Sequence, residues 1–140
     1  MSTLLSAINA SASALDAQRA RMEVAVSNLA NADSTRSANG EPYRRREVVL
    51  ESAPAGESSA GGFEAHGVRV AAVLEDQAAF RRRYEPSHPD ADAEGYVSEP
   101  NVDVPEEMVD MLGAARAYQA NLTAIGLIRD MISRAMDLGK

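Results

Sequence analysis

A short acidic stretch in the second half of the chain has the residue types and spacing of a calcium-binding loop. Carboxylates stand at its first, third and fifth positions and a glycine at its sixth, as at the start of an EF-hand, in Asp90-Ala91-Asp92-Ala93-Glu94-Gly95. The twelfth position is Asn101, whose amide cannot supply the bidentate carboxylate that completes calcium coordination. Pro86 and Pro89 leave no incoming helix. We therefore interpret the stretch as a solvated acidic turn and predict no metal site.

Other catalytic or metal-binding patterns are weak or missing in the sequence. His66 and His88 are far apart, and the chain has no cysteine, so the case for zinc is weak and thiol nucleophiles are excluded. Serines and acidic residues are abundant, but there is no Gly-x-Ser-x-Gly elbow, phosphate-binding glycine loop or His-Glu-x-x-His pattern. We predict no catalytic site and no cofactor.

Two arginine triplets, 44–46 and 81–83, are the residues best suited to phosphate contacts. The net charge of −7 argues against a nucleic-acid partner, because such proteins usually have a basic surplus. In a strand, alternate side chains point to opposite faces, so each triplet places at most two charges on one side. We expect the two triplets to form salt contacts with acidic residues of neighbouring subunits, and we expect no nucleic-acid partner. Contact with peptidoglycan or an anionic membrane surface stays open.

The length and composition indicate one small domain with a thin core. The chain has 140 residues, 45% of them apolar, but it has no Trp, two Phe and four Tyr. Alanine dominates the apolar set, and each alanine buries little area. The start lacks a basic n-region and an unbroken apolar run, so we expect no cleaved signal peptide. No stretch reaches the roughly 20 apolar residues that span a bilayer, so we expect no membrane insertion.

The first element is a long amphipathic helix, predicted from about Ser2 to Asn31. Its apolar residues follow a heptad spacing, interrupted once by Arg19, at Leu5, Ile8, Ala12, Leu15, Met22, Val26 and Leu29. A second face holds small residues, at Ala7, Ala10, Ala14, Ala17 and Ala20. A helix that is apolar or small on two faces is usually buried on two sides.

A second long helix is predicted at the other end of the chain. Asp103 can cap it with Glu106 as capping-box partner, Pro105 fits the first turn, and Gly139 is expected to close it. Arg129 interrupts its heptad seam, which consists of Met108, Met111, Ala115, Tyr118, Leu122, Ile125, Ile132 and Met136. We expect the two seams to pack together and to form the core of an assembly interface, with the alanine face against neighbouring subunits.

The middle of the chain predicts a small β segment. The Val-rich stretches 43–50 and 67–75 indicate an antiparallel pair of strands, 52–62 a loop, and 85–100, with three prolines, an extended segment. The predicted fold is mainly α with a small β segment, its long terminal helices paired as a coiled-coil hairpin. Residues 1–34 and 103–140 would form one discontinuous helical assembly domain, and residues 35–102 the β and loop segment.

The end of the first helix resembles a known signature. The motif Asn28-Leu29-Ala30-Asn31, preceded by Ser27, is similar to the Asn-Asn-(Ile/Leu)-Ala-Asn sequence of flagellar rod and hook axial proteins. Ser27 replaces the first Asn. Further segments of the chain resemble the small proximal-rod subunit of this family, the C type. They are Pro42-Tyr43-Arg44-Arg45, Gly67-Val68, Phe80-Arg81, His88-Pro89-Asp90-Ala91-Asp92, Gly95-Tyr96-Val97, Pro100-Asn101-Val102 and Glu106-Glu107-Met108-Val109-Asp110-Met111.

The resemblance implies a structural subunit of the bacterial flagellar basal body. Such subunits polymerise helically through their terminal helices into the proximal rod, which crosses the periplasm, links the MS ring to the distal rod, transmits torque and surrounds the export channel. The implied partners are further copies of the chain, other rod proteins, the MS-ring and rod adaptor proteins and the flagellar type III export apparatus. The alternative is a cytoplasmic helical adaptor or secretion chaperone of that export system.

Overall fold

The computed structural model describes residues 2–55 and 66–138. Two long helices enclose four strands in sequence, so the fold is mainly α with a small β segment, as predicted. The elements in chain order are α1 Ser2–Ala30, β1 Arg46–Pro54, β2 His66–Glu75, β3 Arg81–Tyr84, β4 Tyr96–Glu99 and α2 Val104–Asp137.

Both helices begin and end close to the predicted residues. The segment of α1 contains neither glycine nor proline and is rich in alanine, the best helix former. Asp103 caps α2 by accepting a hydrogen bond from the Glu106 backbone N–H at 3.2 Å, and a proline lies in the first turn. The predicted closing role of Gly139 lies outside the described residues.

The two helices pack side by side in opposite directions. Asn28, near the end of α1, contacts Glu107, near the start of α2, and Arg21, earlier in α1, contacts Asp110, later in α2. Earlier residues of α1 therefore contact later residues of α2, so the two helices are antiparallel. Long helices at the two ends of the sequence thus form one antiparallel hairpin.

The side of α1 that faces the rest of the chain includes the alanine face as well as most of the predicted seam. Ala17 is 1% exposed and Ala25 is also buried, whereas Leu5 and Val26 are more than half exposed. Small side chains let neighbouring backbones approach closely, and α1 is contacted by α2 and by the β1–β2 pair. The expectation that the alanine face lies outside is therefore wrong at Ala17, while five of the seven predicted seam residues of α1 are half-buried.

On α2 the inward stripe shares half its positions with the predicted seam. Ala114 is fully buried, and Met108, Leu122 and Met136 are exposed. Buried and half-buried positions recur in steps of four and three, at Glu107, Met111, Ala114, Tyr118, Asn121, Ile125, Ile128 and Ile132. The stripe is rotated by about one residue because the small Ala114, rather than Ala115, lies against α1.

Strands β1 and β2 form the predicted antiparallel pair, with an irregularity between Val49 and Leu50. The loop predicted over 52–62 starts later than expected, because β1 continues through Pro54; residues 56–62 lie outside the described part. An isolated two-stranded pair is marginally stable in water, and this pair lies on α1. Gly67 makes that contact possible, because a Cβ there would clash with the Ser13 hydroxyl.

A second two-stranded sheet, β3–β4, was not predicted. The segment 85–100 was expected to be extended throughout, but turns at 86–95 return the chain so that β4 pairs with β3 in antiparallel register. Gly95 has a φ of +85° in this turn, a conformation that glycine adopts without steric penalty. Tyr84 and Tyr96 stack edge to face, with ring centroids 5.2 Å apart.

Candidate assembly site

A buried polar cluster joins α1, β1 and α2 where the three elements meet. At its centre is Asn28, which is 1% exposed. Its Nδ2 donates to the Arg46 carbonyl and to Glu107 Oε2, both at 2.9 Å. Its Oδ1 accepts from the Arg46 N–H and from the Tyr43 hydroxyl, both at 2.9 Å. All four hydrogen-bonding positions of the amide are therefore filled, and they connect three elements.

An ion pair in the same cluster joins β1 to α2. Arg45 Nε lies 2.5 Å from Glu107 Oε1, and Glu107 is 2% exposed. The Arg45 guanidinium also contacts the Glu47 carboxylate. Burying a charge is unfavourable unless it is paired and hydrogen-bonded, and Glu107 has both Asn28 and Arg45 as partners. The first turn of α2 is thereby fixed against the start of β1.

Arg45 lies among an excess of negative charge. Besides Glu107 and Glu47, the carboxylates of Asp76, Glu106 and Asp110 lie within 3.9 Å of its guanidinium. Burial disfavours the charged form of Arg45, but its hydrogen bonds with Glu107 and Glu47 outweigh that effect and raise its pKa above the ordinary value. Arg45 therefore remains charged at any pH at which the protein is folded.

Asn101 extends the cluster into the loops. Its Oδ1 accepts from the Arg45 N–H at 2.8 Å, and its Nδ2 donates to the carbonyls of Asp76 and Ala78 at 3.3 and 3.4 Å. The neighbouring Pro100 and Val102 are buried. Asn101, which stands at the twelfth position of the calcium-loop pattern, therefore holds the segment before α2 in place through these hydrogen bonds.

The residues of the predicted motif Asn28, Leu29, Ala30 and Asn31 have different surroundings: one lies in the buried cluster and another bonds within its own helix end. Asn28 belongs to the cluster, whereas Asn31 Nδ2 donates to the Ser27 carbonyl at 2.9 Å within its own helix end. Leu29 is half-buried and Ala30 exposed. The resemblance identified Asn28 but not its partners, and the burial of Arg45 and Glu107 was missed. No local pattern distinguishes Glu107 from Glu106, or Arg45 from the arginines on either side of it.

None of the predicted seam residues is fully buried within one subunit. Half-buried are Ile8, Ala12, Leu15, Met22, Leu29, Met111, Tyr118, Ile125 and Ile132. Exposed are Leu5, Val26, Met108, Ala115, Leu122 and Met136. Further large apolar side chains of α2 are exposed at Val104, Val109, Leu112, Leu127, Met131 and Leu138. Large apolar side chains are therefore exposed near both ends of α2, among charged and polar residues.

Two glycines inside α2 have open space around them. A Cβ at Gly113 or Gly126 would meet no atom within 4 Å in this subunit. Glycine inside a helix is less favourable than alanine by about 0.5–1 kcal/mol. No contact within the described chain accounts for either glycine.

The groups that resembled metal or nucleic-acid sites have partners within the chain. Asp92 Oδ1 accepts from the backbone N–H groups of Glu94 and Tyr96, which holds the pKa of Asp92 below its usual value. Asp90 accepts from Thr35 at 2.9 Å. Within 2–55 and 66–138, no group of three or more potential ligands could hold a metal ion.

The arginine triplets contact carboxylates and aromatic rings of the same subunit, and the expected contacts with neighbouring subunits stay a prediction. Arg44 lies 4.3 Å from the centre of the Phe80 ring, and Arg82 4.7 Å from that of Tyr96. The second triplet also forms ion pairs with Asp103, Asp92, Glu94, Glu85 and Glu99. These contacts stabilise β3–β4 and its junction with α2.

None of the helices in the described part of the chain is long and apolar enough to cross a membrane.

Comparison with known proteins gives matches at both ends and over the full chain. The family model described as "Flagella basal body rod protein" matches residues 8–36, and "Flagellar basal body rod FlgEFG protein C-terminal" matches residues 93–138. The matched regions contain most of α1 and all of α2, together with Asn28 and Glu107.

Relatives from distant bacteria are similar over almost their whole length. The flagellar basal-body rod protein FlgC of Bacillus subtilis is 46% identical, with 99% of each chain covered. That of Salmonella typhimurium is 44% identical, with 98% of each covered, and that of Borreliella burgdorferi 38%, with 95% of each covered. The chain therefore belongs to the FlgC family of flagellar basal-body rod proteins, which are structural subunits of the rod.

Proposed function

We propose that the chain polymerises helically through α1 and α2 to form part of the proximal rod. The observation that carries the proposal is the set of large apolar side chains exposed on α2, with Leu122 54% exposed and Leu127, Met131 and Met136 exposed to a similar degree. Exposed apolar patches rimmed by polar residues mark sites of contact with other proteins. Fully burying a side chain of this kind contributes about 1.5–3 kcal/mol, and covering the exposed half contributes about half of that. This surface fits contact with further subunits.

The open glycines support close approach of a neighbouring chain. Gly113 and Gly126 lie on α2 among the exposed apolar residues and have no neighbour within the subunit. Small residues let the backbones of two helices come near each other. Residues 1–34 and 103–140, which contain the two terminal helices, then act as one discontinuous assembly domain. The seam residues that are exposed in the single subunit pair with neighbouring subunits in a coiled-coil manner.

A tube or filament requires an interface between two different surfaces. When one patch of a subunit meets a different patch of the next, the contact repeats without closing on itself. The exposed side of α1, with Leu5 and Val26, and that of α2 are two such patches. On the basis of family membership, we propose that the assembled tube links the MS ring to the distal rod, transmits torque and surrounds the export channel.

The same family membership suggests the partners and the route of assembly. We propose contacts with other rod proteins and with MS-ring and rod adaptor proteins, and passage through the flagellar type III export apparatus without a cleaved signal peptide. The role is structural rather than catalytic.

The substitution Leu122→Asp tests the proposed interface. Because Leu122 is 54% exposed in the subunit, the free energy of unfolding should change by less than about 1 kcal/mol. In an assembly the new carboxylate would be buried, and we expect loss of the subunit from purified basal bodies and loss of swimming. The matched control is Gln119→Asp, which adds the same charge at an exposed polar residue of α2. Normal basal bodies with Leu122→Asp would contradict the proposal.

A further inference from the structure

The packing of α1 in the hairpin does little to define its position along its own axis. Its inward side includes a face of alanines spaced by three or four residues, at Ala7, Ala10, Ala14 and Ala17. A slide of α1 by one turn, about 5.4 Å, replaces one alanine by the next. The apolar contacts of the alanine face are therefore similar in neighbouring registers, and polar contacts must select one. Towards β2 such a contact is the hydrogen bond from the Val68 N–H to the Ser13 hydroxyl at 3.0 Å; towards α2 it must come from elsewhere.

The buried polar cluster does distinguish between registers. Asn28 makes two hydrogen bonds to the backbone of Arg46, one to Tyr43 and one to Glu107, so it is tied to β1 and α2 together. A slide by one turn breaks all four at once. It also leaves Glu107, which is 2% exposed, without its α1 partner.

We propose that Asn28 is a positioning residue that, with Glu107, fixes the axial register of α1 against α2. A single buried polar residue performs this task in coiled coils whose apolar seam allows several registers. The register decides which α1 residues lie level with which α2 residues on the outer surface of the subunit. The inference concerns the interior of one subunit and does not depend on which outer faces meet.

The test uses a substitution and its chemical reversal. Asn28→Asp keeps the acceptor oxygen for Arg46 and Tyr43 but removes both donated bonds and places a second carboxylate beside Glu107. Combining it with Glu107→Gln restores a donor–acceptor pair with reversed direction and the original net charge. The matched control is Asn121→Asp on the half-buried stripe of α2, because within residues 2–55 and 66–138 the Asn121 amide donates to the Ala117 carbonyl of its own helix, at 2.8 Å, and not to α1.

The register can be measured directly because the chain has no cysteine. Cysteines introduced at Asn9 and Arg116, both exposed, carry nitroxide labels on α1 and α2 at different levels of the hairpin. Labelled chains are diluted with unlabelled chains in purified basal bodies, and the distance between the two nitroxides is measured by double electron–electron resonance. The dilution ensures that distances within one subunit dominate the signal. We expect one narrow distance in the parent chain, the control and the double variant.

In Asn28→Asp we expect a second population displaced by about 5 Å, one helical turn. An unchanged single distance in Asn28→Asp would overturn the proposal, because the variant would then affect stability without affecting register. A shift in Asn121→Asp of the same size would also overturn it. If Asn28→Asp is missing from basal bodies, its return in the double variant supports the pairing with Glu107, and continued absence contradicts it.

Discussion

At the residue scale, the partners of Asn28 explain why an amide stands at this position. The Arg46 N–H can only donate and the Arg46 carbonyl can only accept, so the side chain between them needs both a donor and an acceptor. The second donor position meets Glu107 and the second acceptor position meets the Tyr43 hydroxyl. A carboxylate or hydroxyl would leave at least one of these buried groups unpaired.

Arg45 should be among the residues most important for stability. Arg45→Ala would leave Glu107 buried with its main charge partner removed, and we expect the free energy of unfolding to fall by about 3–5 kcal/mol. Urea denaturation of the full chain measures this. Arg83→Ala is the control: Arg83 forms ion pairs with Glu85 and Glu99 but is 58% exposed, so its loss should cost less than about 1 kcal/mol. Equal losses in the two variants would contradict the buried role of Arg45.

Asp92 should titrate below its ordinary pKa of 3.8. The N–H groups of Tyr96 and Glu94 and the Arg82 guanidinium favour the charged carboxylate in the folded state. Because the folded pKa is lowered, the contribution of Asp92 to stability is present above pH 3.8 and is lost as the pH falls through the lower, folded value. NMR titration of the carboxyl carbon measures the midpoint, and a value at or above 3.8 would contradict the prediction. Asp92→Asn, which keeps the acceptor oxygen, should remove this part of the pH dependence.

At the element scale, Gly67 controls how closely β2 approaches α1. A Cβ added there would overlap the Ser13 hydroxyl, which accepts from the Val68 N–H at 3.0 Å. We expect Gly67→Ala to lower the free energy of unfolding by about 1–3 kcal/mol, the usual effect of overpacking. Adding Ser13→Ala should recover part of that loss, because the next atoms lie at 3.4 and 3.5 Å. Urea unfolding of both single variants and the double variant measures the coupling.

Gly113→Ala provides the contrasting case on α2. No atom lies within 4 Å of the added Cβ, and alanine is favoured over glycine in a helix interior. We expect the subunit to gain up to about 1 kcal/mol in the same assay. A loss of stability would show that the surroundings of Gly113 are tighter than the structure describes.

The sequence predicted the elements better than their orientation. The helices, the capping by Asp103 and the β1–β2 pair followed from periodicity, caps and valine-rich stretches. The inward side of α1 did not, because two of its faces were both suitable for burial and both are partly covered in the fold. β3 was missed because Arg81–Tyr84 has no alternation of apolar and polar residues.

The polar cluster was beyond sequence reasoning for a related reason. Arg45 is one of three consecutive arginines, and nothing local distinguishes it from Arg44 or Arg46. Its partner Glu107 lies 62 residues further along the chain. Only the folded arrangement shows that the middle arginine is buried, while the motif alone singled out Asn28.

At the scale of the whole molecule, stability and assembly should respond differently to the same change. Gly126→Leu has open space in the subunit and replaces a poor helix former by a good one, so the free energy of unfolding should rise by up to about 1 kcal/mol. If a neighbouring chain approaches α2 closely at this point, the leucine side chain blocks it. We expect fewer subunits in purified basal bodies and slower swimming despite the gain in stability. Unimpaired assembly would show that Gly126 does not lie at a close contact.

The bond between Asn28 and Glu107 joins residues 79 positions apart. During translation at about 5–20 residues per second, roughly 4–16 s separate the appearance of the two residues. Throughout that interval α1 has neither its partner helix nor the carboxylate that completes the buried cluster. The native hairpin therefore closes only after Glu107 has been synthesised, and until then the side of α1 that will face α2 stays open to water.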